Sequence, residues 1–251
     1  MKKLDLVVLT CTVVPQLTNS VKRFDPDKRL SDYLISIERW AELCVKGALD
    51  VLVVENSDSM SDLQRHLSSR SRENVQFRTV ATPNLSESEG VSKGEFSMLK
   101  DSLIEYLDNY DFIWKCSGRN FPINYNRLLF KAEADVVAER FTKPYFSADS
   151  RFFGMTSDLW REFTLINPGF SRYEEHYSSD KFSSMEHLLT RFVTDLGFRG
   201  KVITSFPEIP IFKEKSGSLD KQIMSRKRVI SLKALNRIRK ILRKMSLGYL
   251  L

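Results

Sequence analysis

Apolar runs of strand length alternate with helical periodicity through the first half of this chain, and that alternation limits the fold more than any motif. Residues 4–10 form an apolar run interrupted by Asp5 and ending in Thr10, Cys11 and Thr12. In 27–46, Leu30, Tyr33, Leu34, Ile37, Trp40, Ala41 and Cys44 recur at three- and four-residue spacing, the stripe of an amphipathic helix. A second strand follows at 51–54, ending in Glu55, Asn56 and Ser57, then a short helix over 61–70 and a third strand over 75–80. After a polar loop, a helix is predicted over 93–109, leading into the aromatic run Phe112, Ile113 and Trp114. This β-α-β-α-β-α-β order predicts an α/β fold, a Rossmann-like, mostly parallel sheet with right-handed crossovers and flanking helices.

Beyond residue 124 the rhythm changes. A helix is expected over 126–132, an extended segment over 135–140 and an aromatic-rich strand within 145–156. A helix beginning at Ser157, a surface loop over 167–181, a helix over 183–195 and a last strand over 201–206 complete the body.

The run at Phe112 turns polar within a few residues. Lys115, Ser117, Gly118, Arg119 and Asn120 follow it, and Pro122 prevents the strand from continuing. In open α/β sheets, ligands sit beyond the carboxyl ends of the strands. A Lys and an Arg four residues apart, with a Gly that admits close backbone approach, suit an anionic group such as a pyrophosphate. An ordinary strand exit with two solvated cations fits the spacing equally well.

Motifs exclude several chemistries. Neither GxGxxG nor GxxxxGK[ST] occurs, which removes dinucleotide and P-loop readings, and GxSxG and HExxH are absent too. Three histidines and three cysteines without a CxxC pair argue against a zinc cluster. Scattered cysteines also point to a reducing, cytoplasmic compartment. The start is too short in apolar residues for a signal peptide, and no segment approaches the roughly 18 apolar residues of a membrane span.

Charge is unevenly distributed. From residue 221 to 251 there are ten Lys or Arg and no acidic residue, so the remaining body holds 29 basic against 32 acidic groups. The positive net charge of +7 therefore belongs to the tail. In that tail Val229, Leu232, Leu235, Ile238, Ile241, Leu242 and Met245 are read as one helical face, with Lys and Arg over much of the remainder. A basic amphipathic helix suits an anionic membrane surface, here through residues 221–247. The same helix also suits packing on its own body or a partner. The acidic body argues against nucleic acid.

Several short pieces, in order over residues 4–206, resemble the GT-A-type glycosyltransferases of bacterial surface polysaccharide assembly (capsule, O-antigen or lipopolysaccharide core). They are Val51 to Ser57 after the second strand, Gly90 to Glu95 opening a helix, and Trp114, Lys115, Gly118, Arg119 and Asn120, similar to a KxxGRY element. Asp149, Arg151 and Gly154, and then Glu186 in a later helix, complete the set. The resemblance implies a peripheral enzyme at the inner face of the cell membrane. It would transfer sugar from a nucleotide-sugar donor to a glycan, lipid-linked in this reading. It implies a catalytic domain over 1–215 and a basic tail over 216–251.

Donor contacts implied by the resemblance fall on Thr10, Cys11, Thr12, Glu55, Asn56, Lys93, Lys115, Gly118, Arg119, Asn120 and Arg151. Glu55 and Asn56 read alternatively as a turn and helix entry, with Ser57 or Asp58 as N-cap. Glu186 is the first choice for the general base that takes a proton from the acceptor hydroxyl, and Asp149 the second. Each has a plainer reading, Glu186 as a solvated helix residue and Asp149 as an ion-pair partner of Arg151. One departure concerns metal. Where such enzymes carry an Asp-x-Asp, this chain has Lys115 and Arg119 and no carboxylate. The expectation is transfer without a divalent metal, the two cations facing the leaving phosphate, although Asp149 remains available as a ligand. The alternative is a non-catalytic nucleotide- or membrane-binding scaffold of the same fold.

Overall fold

A computed structural model describes residues 5–15, 25–81, 90–128, 134–140, 148–165, 185–212 and 226–244. Seven strands pair in one sheet among them, in the order β3-β2-β1-β4-β6-β5-β7. They are β1 (Leu6–Cys11), β2 (Asp50–Glu55), β3 (Gln76–Thr79), β4 (Phe112–Ser117), β5 (Val136–Arg140), β6 (Ala148–Thr156) and β7 (Ile203–Thr204). β1, β2, β3 and β4 are mutually parallel, and β5 pairs with β7 in parallel. β6 runs against both its neighbours, β4 and β5.

Helices cover both faces. α1 (Pro26–Val45), α2 (Met60–His66) and α3 (Ser69–Asn74) connect β1, β2 and β3. α4 (Gly90–Leu103) leads back to β4 on the other side of β1, and α5 (Ser157–Leu165) and α6 (Met185–Phe198) follow β6. Alternating residues of β1 divide two cores: Val7, Leu9 and Cys11 join Tyr33, Ile37 and Trp40 of α1, whereas Leu6 and Val8 join Phe96 and Leu99 of α4 and Leu189 of α6. None of the helices among the described residues is long and apolar enough to cross a membrane.

Several local expectations are corrected. The stretch expected as one helix over 61–70 is two, because Ser68 breaks it and caps α3 by accepting from the Ser71 amide. α1 is capped by Asp25, which accepts from the Asp27 and Lys28 amides, with Pro26 opening the helix. Proline belongs at the first helical position, which pushes the cap one residue before it. The entry to α2 has Ser59, not Ser57 or Asp58, at the cap position. Of the segment expected as helix over 126–132, the described part is a short 3-10 turn, Tyr125–Arg127. The loop expected over 167–181 lies outside the described residues, as does the boundary placed at 215.

Gly154 explains how β6 lies flat on β4. It sits opposite Trp114, and a Cβ there would come within 2.5 Å of both the Trp114 and Phe112 rings. Trp114 stacks on Phe152 at 5.5 Å and on Phe206 at 5.9 Å, so this ring stack covers the strand where side chains are missing.

A last helix, α7 (Arg226–Lys244), is docked on the body. Leu232 joins the core on the α1 side, and Val229 packs against it.

Candidate functional site

The order of the strands reverses between β1 and β4: the chain moves outward from β1 to β3, then returns to place β4 on β1's other side. The carboxyl ends of these two strands flank a topological switch point, the place where open α/β sheets take ligands. Thr10, Cys11 and Thr12 stand at the end of β1, Glu55 and Asn56 at the end of β2, and Ser117 to Asn120 at the end of β4. β6 runs the other way, so its beginning, Asp149 to Arg151, reaches the same edge. The fold thus gathers most of the residues singled out in the sequence.

Their roles divide. Glu55 is fully buried, and its carboxylate accepts from the amides of Ser57 (2.9 Å), Ser59 (3.0 Å) and Val13 (3.4 Å) as well as the Ser57 hydroxyl. It holds the loops after β1 and β2 together. Thr12 donates to Asn56 Oδ1 at 2.6 Å across those loops.

Gly118 makes a close approach, but to its own chain. Its amide donates to the Thr10 carbonyl at 2.9 Å, and a Cβ would lie 2.5 Å from Cys11 Sγ. The Asn120 carbonyl anchors the turn by accepting from Ser36 Oγ (2.9 Å), Cys116 Sγ (3.2 Å) and Trp40 Nε1 (3.3 Å). Burial pushes the Cys11 thiol well above its usual range, and the neighbouring Glu55 raises it further.

Lys115 sits inside the strand rather than past its end, because β4 continues to Ser117. Its side chain is wholly enclosed. The ammonium meets Glu95 Oε1 at 2.7 Å, the Ser150 carbonyl at 2.7 Å and Ser117 Oγ at 3.3 Å. These occupy its three N–H donors. Thr10 Oγ1 donates to the same Glu95 oxygen at 2.8 Å, and Ser150 Oγ donates to Glu186 Oε1 at 2.6 Å. A continuous polar chain therefore runs Thr10, Glu95, Lys115, Ser150, Glu186, from β1 to the first turn of α6. Asp149 and Arg151 form a two-pronged ion pair, at 2.8 and 2.6 Å, and the Arg151 guanidinium lies 4.9 Å from the Phe212 ring centre. Lys93 lies in the first turns of α4, and its side chain is outside the described part.

Two residues not singled out in the sequence complete the positive side of the crevice. Arg29, in the first turn of α1, is buried and donates through Nε to the Thr12 carbonyl at 2.8 Å. The Tyr33 hydroxyl accepts from the Thr12 amide at 2.9 Å and from Arg29 Nη2 at 3.2 Å. The guanidinium carbons of Arg29 and Arg119 each lie 5.8 Å from the Tyr33 ring centre. Burial lowers the pKa of Arg29, and the charge of Arg119 lowers it further while Tyr33 opposes. The Nη1 of Arg119 is buried without a hydrogen-bond partner among the described residues. Leaving such a donor unmet costs about 1–3 kcal/mol. An anion seated here would meet that donor and relieve the repulsion between two guanidiniums. The sequence did hold a signal for Arg29. It lies four residues before Tyr33 on the buried stripe, and a cation in a helix's first turn opposes the dipole unless something compensates it.

No group of three His, Cys, Asp or Glu comes together among the described residues. Glu55, Glu95, Asp149 and Glu186 are each engaged by the chain's own donors.

No protein-family model and no curated protein sequence matches the chain. Among solved structures, it is similar to one described as a nucleotide-diphospho-sugar transferase from Desulfovibrio desulfuricans G20, at 10% identity and a TM-score of 0.45, covering 82% of this chain and 80% of that one. A second is the galactosyltransferase LgtC in complex with donor and acceptor sugar analogues, at 13% identity and a TM-score of 0.49, covering 80% and 72%. A third is the glycosyltransferase GlyE of Streptococcus pneumoniae TIGR4, at 8% identity and a TM-score of 0.46, covering 82% of this chain but 45% of that one.

Proposed function

We propose that this chain is a GT-A-like glycosyltransferase that holds a nucleotide-sugar at the switch point between β1 and β4. The observation that carries the reading is the Arg29, Tyr33 and Arg119 cluster, with the unpartnered Nη1 of Arg119 buried beside the ends of both strands. It is suited to the diphosphate of such a donor. In this reading Arg119 and Arg29 balance the charge that grows on the departing nucleoside diphosphate, the task expected in the sequence of Lys115 and Arg119. Asn56 and Thr12 face the nucleoside side of the crevice, and Lys115 supports the site from within.

In an inverting transfer the acceptor hydroxyl attacks the anomeric carbon, the bond to the diphosphate breaks, and Glu186 takes the hydroxyl proton. The Ser150 hydroxyl at 2.6 Å orients that carboxylate. Asp149, already held by Arg151, is the weaker candidate. The acceptor in this reading is a lipid-linked glycan of capsule, O-antigen or lipopolysaccharide core, met at the inner face of the cell membrane. A non-catalytic nucleotide-binding scaffold is the second reading, favoured by the engagement of both candidate carboxylates with their own neighbours.

The test is thermal stability against UDP, GDP, CMP and their sugar conjugates, with EDTA or with Mn²⁺. A ligand bound only by the native state raises the melting temperature by mass action. One nucleotide is expected to give a shift that persists in EDTA and is lost in Arg119→Met. Glu186→Gln is expected to keep the shift and lose sugar transfer. A shift that needs Mn²⁺ overturns the metal-free reading, unchanged transfer by Glu186→Gln removes that residue as base, and no shift with any nucleotide overturns the donor site.

A further inference from the structure

The outer face of α7 is apolar at its centre and wholly cationic at its charged positions. Toward the body, Leu232 and Asn236 are each 4% exposed, and Asn236 pairs with the Ile209 backbone, accepting from its amide at 2.7 Å and donating to its carbonyl at 3.3 Å. On the opposite side Ile230, Ile238 and Ile241 are 61%, 50% and 57% exposed, with Ala234 exposed between them. At about 100° per residue these four share one stripe, roughly opposite Leu232 and Asn236. Lys233 and Arg237, both exposed, border it, exposed Lys227 stands at its N-terminal end, and no acidic residue occurs from 221 to 251.

We propose that this outer stripe seats the protein on an anionic lipid bilayer, with α7 lying in the plane of the headgroups. The isoleucines enter the boundary between headgroups and acyl chains, and the flanking cations meet lipid phosphates. Other occupants fit less well. A nucleic acid backbone would use the cations and leave three isoleucines in water. A second copy would set two faces of like charge against each other. The proposal stands whether or not the crevice transfers sugar.

The docking of α7 also links this surface to the crevice. The Ile209 carbonyl accepts from Asn124 Nδ2 at 3.1 Å, Ile211 donates to Asn124 Oδ1 at 3.0 Å, and Ile123 donates to the Ile211 carbonyl at 3.0 Å. Through 209–212 the helix is fastened to the loop that begins at Arg119.

Flotation of the full chain with vesicles tests this, using phosphatidylcholine alone or mixed with phosphatidylglycerol. The wild type is expected to float with the mixed vesicles and not with the neutral ones. Ile238→Glu with Ile241→Glu is expected to lower partitioning at least about tenfold, since the inserted apolar area is lost. The melting temperature should stay unchanged, because both side chains are exposed, and Ile238→Leu should bind like the wild type. Lys233→Glu with Arg237→Glu should remove the preference for anionic lipid. Partitioning untouched by the isoleucine changes would overturn the proposal. So would RNA binding without vesicle binding, or a dimer in sedimentation that the same changes dissolve.

Discussion

Lys115 and Glu95 form an ion pair in which the lysine side chain is fully enclosed and the glutamate 23% exposed. Such pairs contribute little relative to an apolar replacement, but removing one partner strands a buried charge at a cost of about 3–5 kcal/mol. Glu95→Gln is therefore expected to destabilise the protein by about that amount in urea denaturation, and Lys115→Met with Glu95→Gln to recover part of the loss. Stability unchanged by either variant, with the nucleotide shift lost, would return Lys115 to the ligand. The sequence showed a lysine where polar residues gather after an apolar run. It did not show that the strand continues to Ser117 and carries the side chain inside. Gly118 was legible as a point of close approach, but the partner is Cys11 and the Thr10 carbonyl, two groups brought near only by pairing β1 with β4. Arg29 became part of the crevice for the same reason: its partner, the Thr12 carbonyl, is 17 residues away in the chain.

At the scale of elements, Glu38 joins α1 to the start of α3. Its carboxylate accepts from the Ser68 amide at 2.6 Å, the Ser68 hydroxyl at 2.9 Å and the Ser71 hydroxyl. Burial pulls its pKa upward, yet these donors outweigh that and hold it below the usual value. A depressed pKa gives stability that is complete above the unfolded value, about 4.3, and is lost as pH falls through the folded one. Solvent screens this partly exposed group, so the effect stays below about 1 kcal/mol. Urea denaturation should find Glu38→Gln weaker than the wild type at neutral pH, with the gap closing at acid pH. A gap that persists at acid pH would rule the carboxylate out as its cause. Strands and helices themselves were largely legible because the signal is local: β1, β2 and β4 are apolar runs, and α1 is a stripe. The direction of β6 was not, since antiparallel and parallel central strands bury similar residues. The face of α7 was misread for a geometric reason. A spacing of three drifts by about 60° per step on a helix of 3.6 residues per turn. The run Val229, Leu232, Leu235, Ile238 and Ile241 therefore winds from the buried side, at Leu232, to the exposed side, at Ile241.

For the whole molecule, Asn236 occupies the joint between a surface helix and the switch point. The segment 209–212 holds α7 on one side and Ile123 and Asn124 on the other, and Phe212 lies under the Arg151 guanidinium. The Asn236 and Asn124 side chains and the Ile123–Ile211 backbone bond therefore tie α7 to the loop after β4 without passing through the sheet. Asn236→Ala removes both bonds to Ile209; the carbonyl keeps Asn124 Nδ2, but the amide is left unmet, which costs about 1–3 kcal/mol. Hydrogen exchange should report faster exchange at Ile209, and also at the Ile211 and Ile123 amides, whose acceptors depend on the same segment. Amides of β1 and β2 should keep their protection, because their partners lie within the sheet. If the joint links the two surfaces, the nucleotide-induced rise in melting temperature shrinks in this variant as the Arg119 loop loses its support. Faster exchange confined to α7 and Ile209, with the nucleotide response intact, would mean that α7 is attached to the body without being coupled to the crevice.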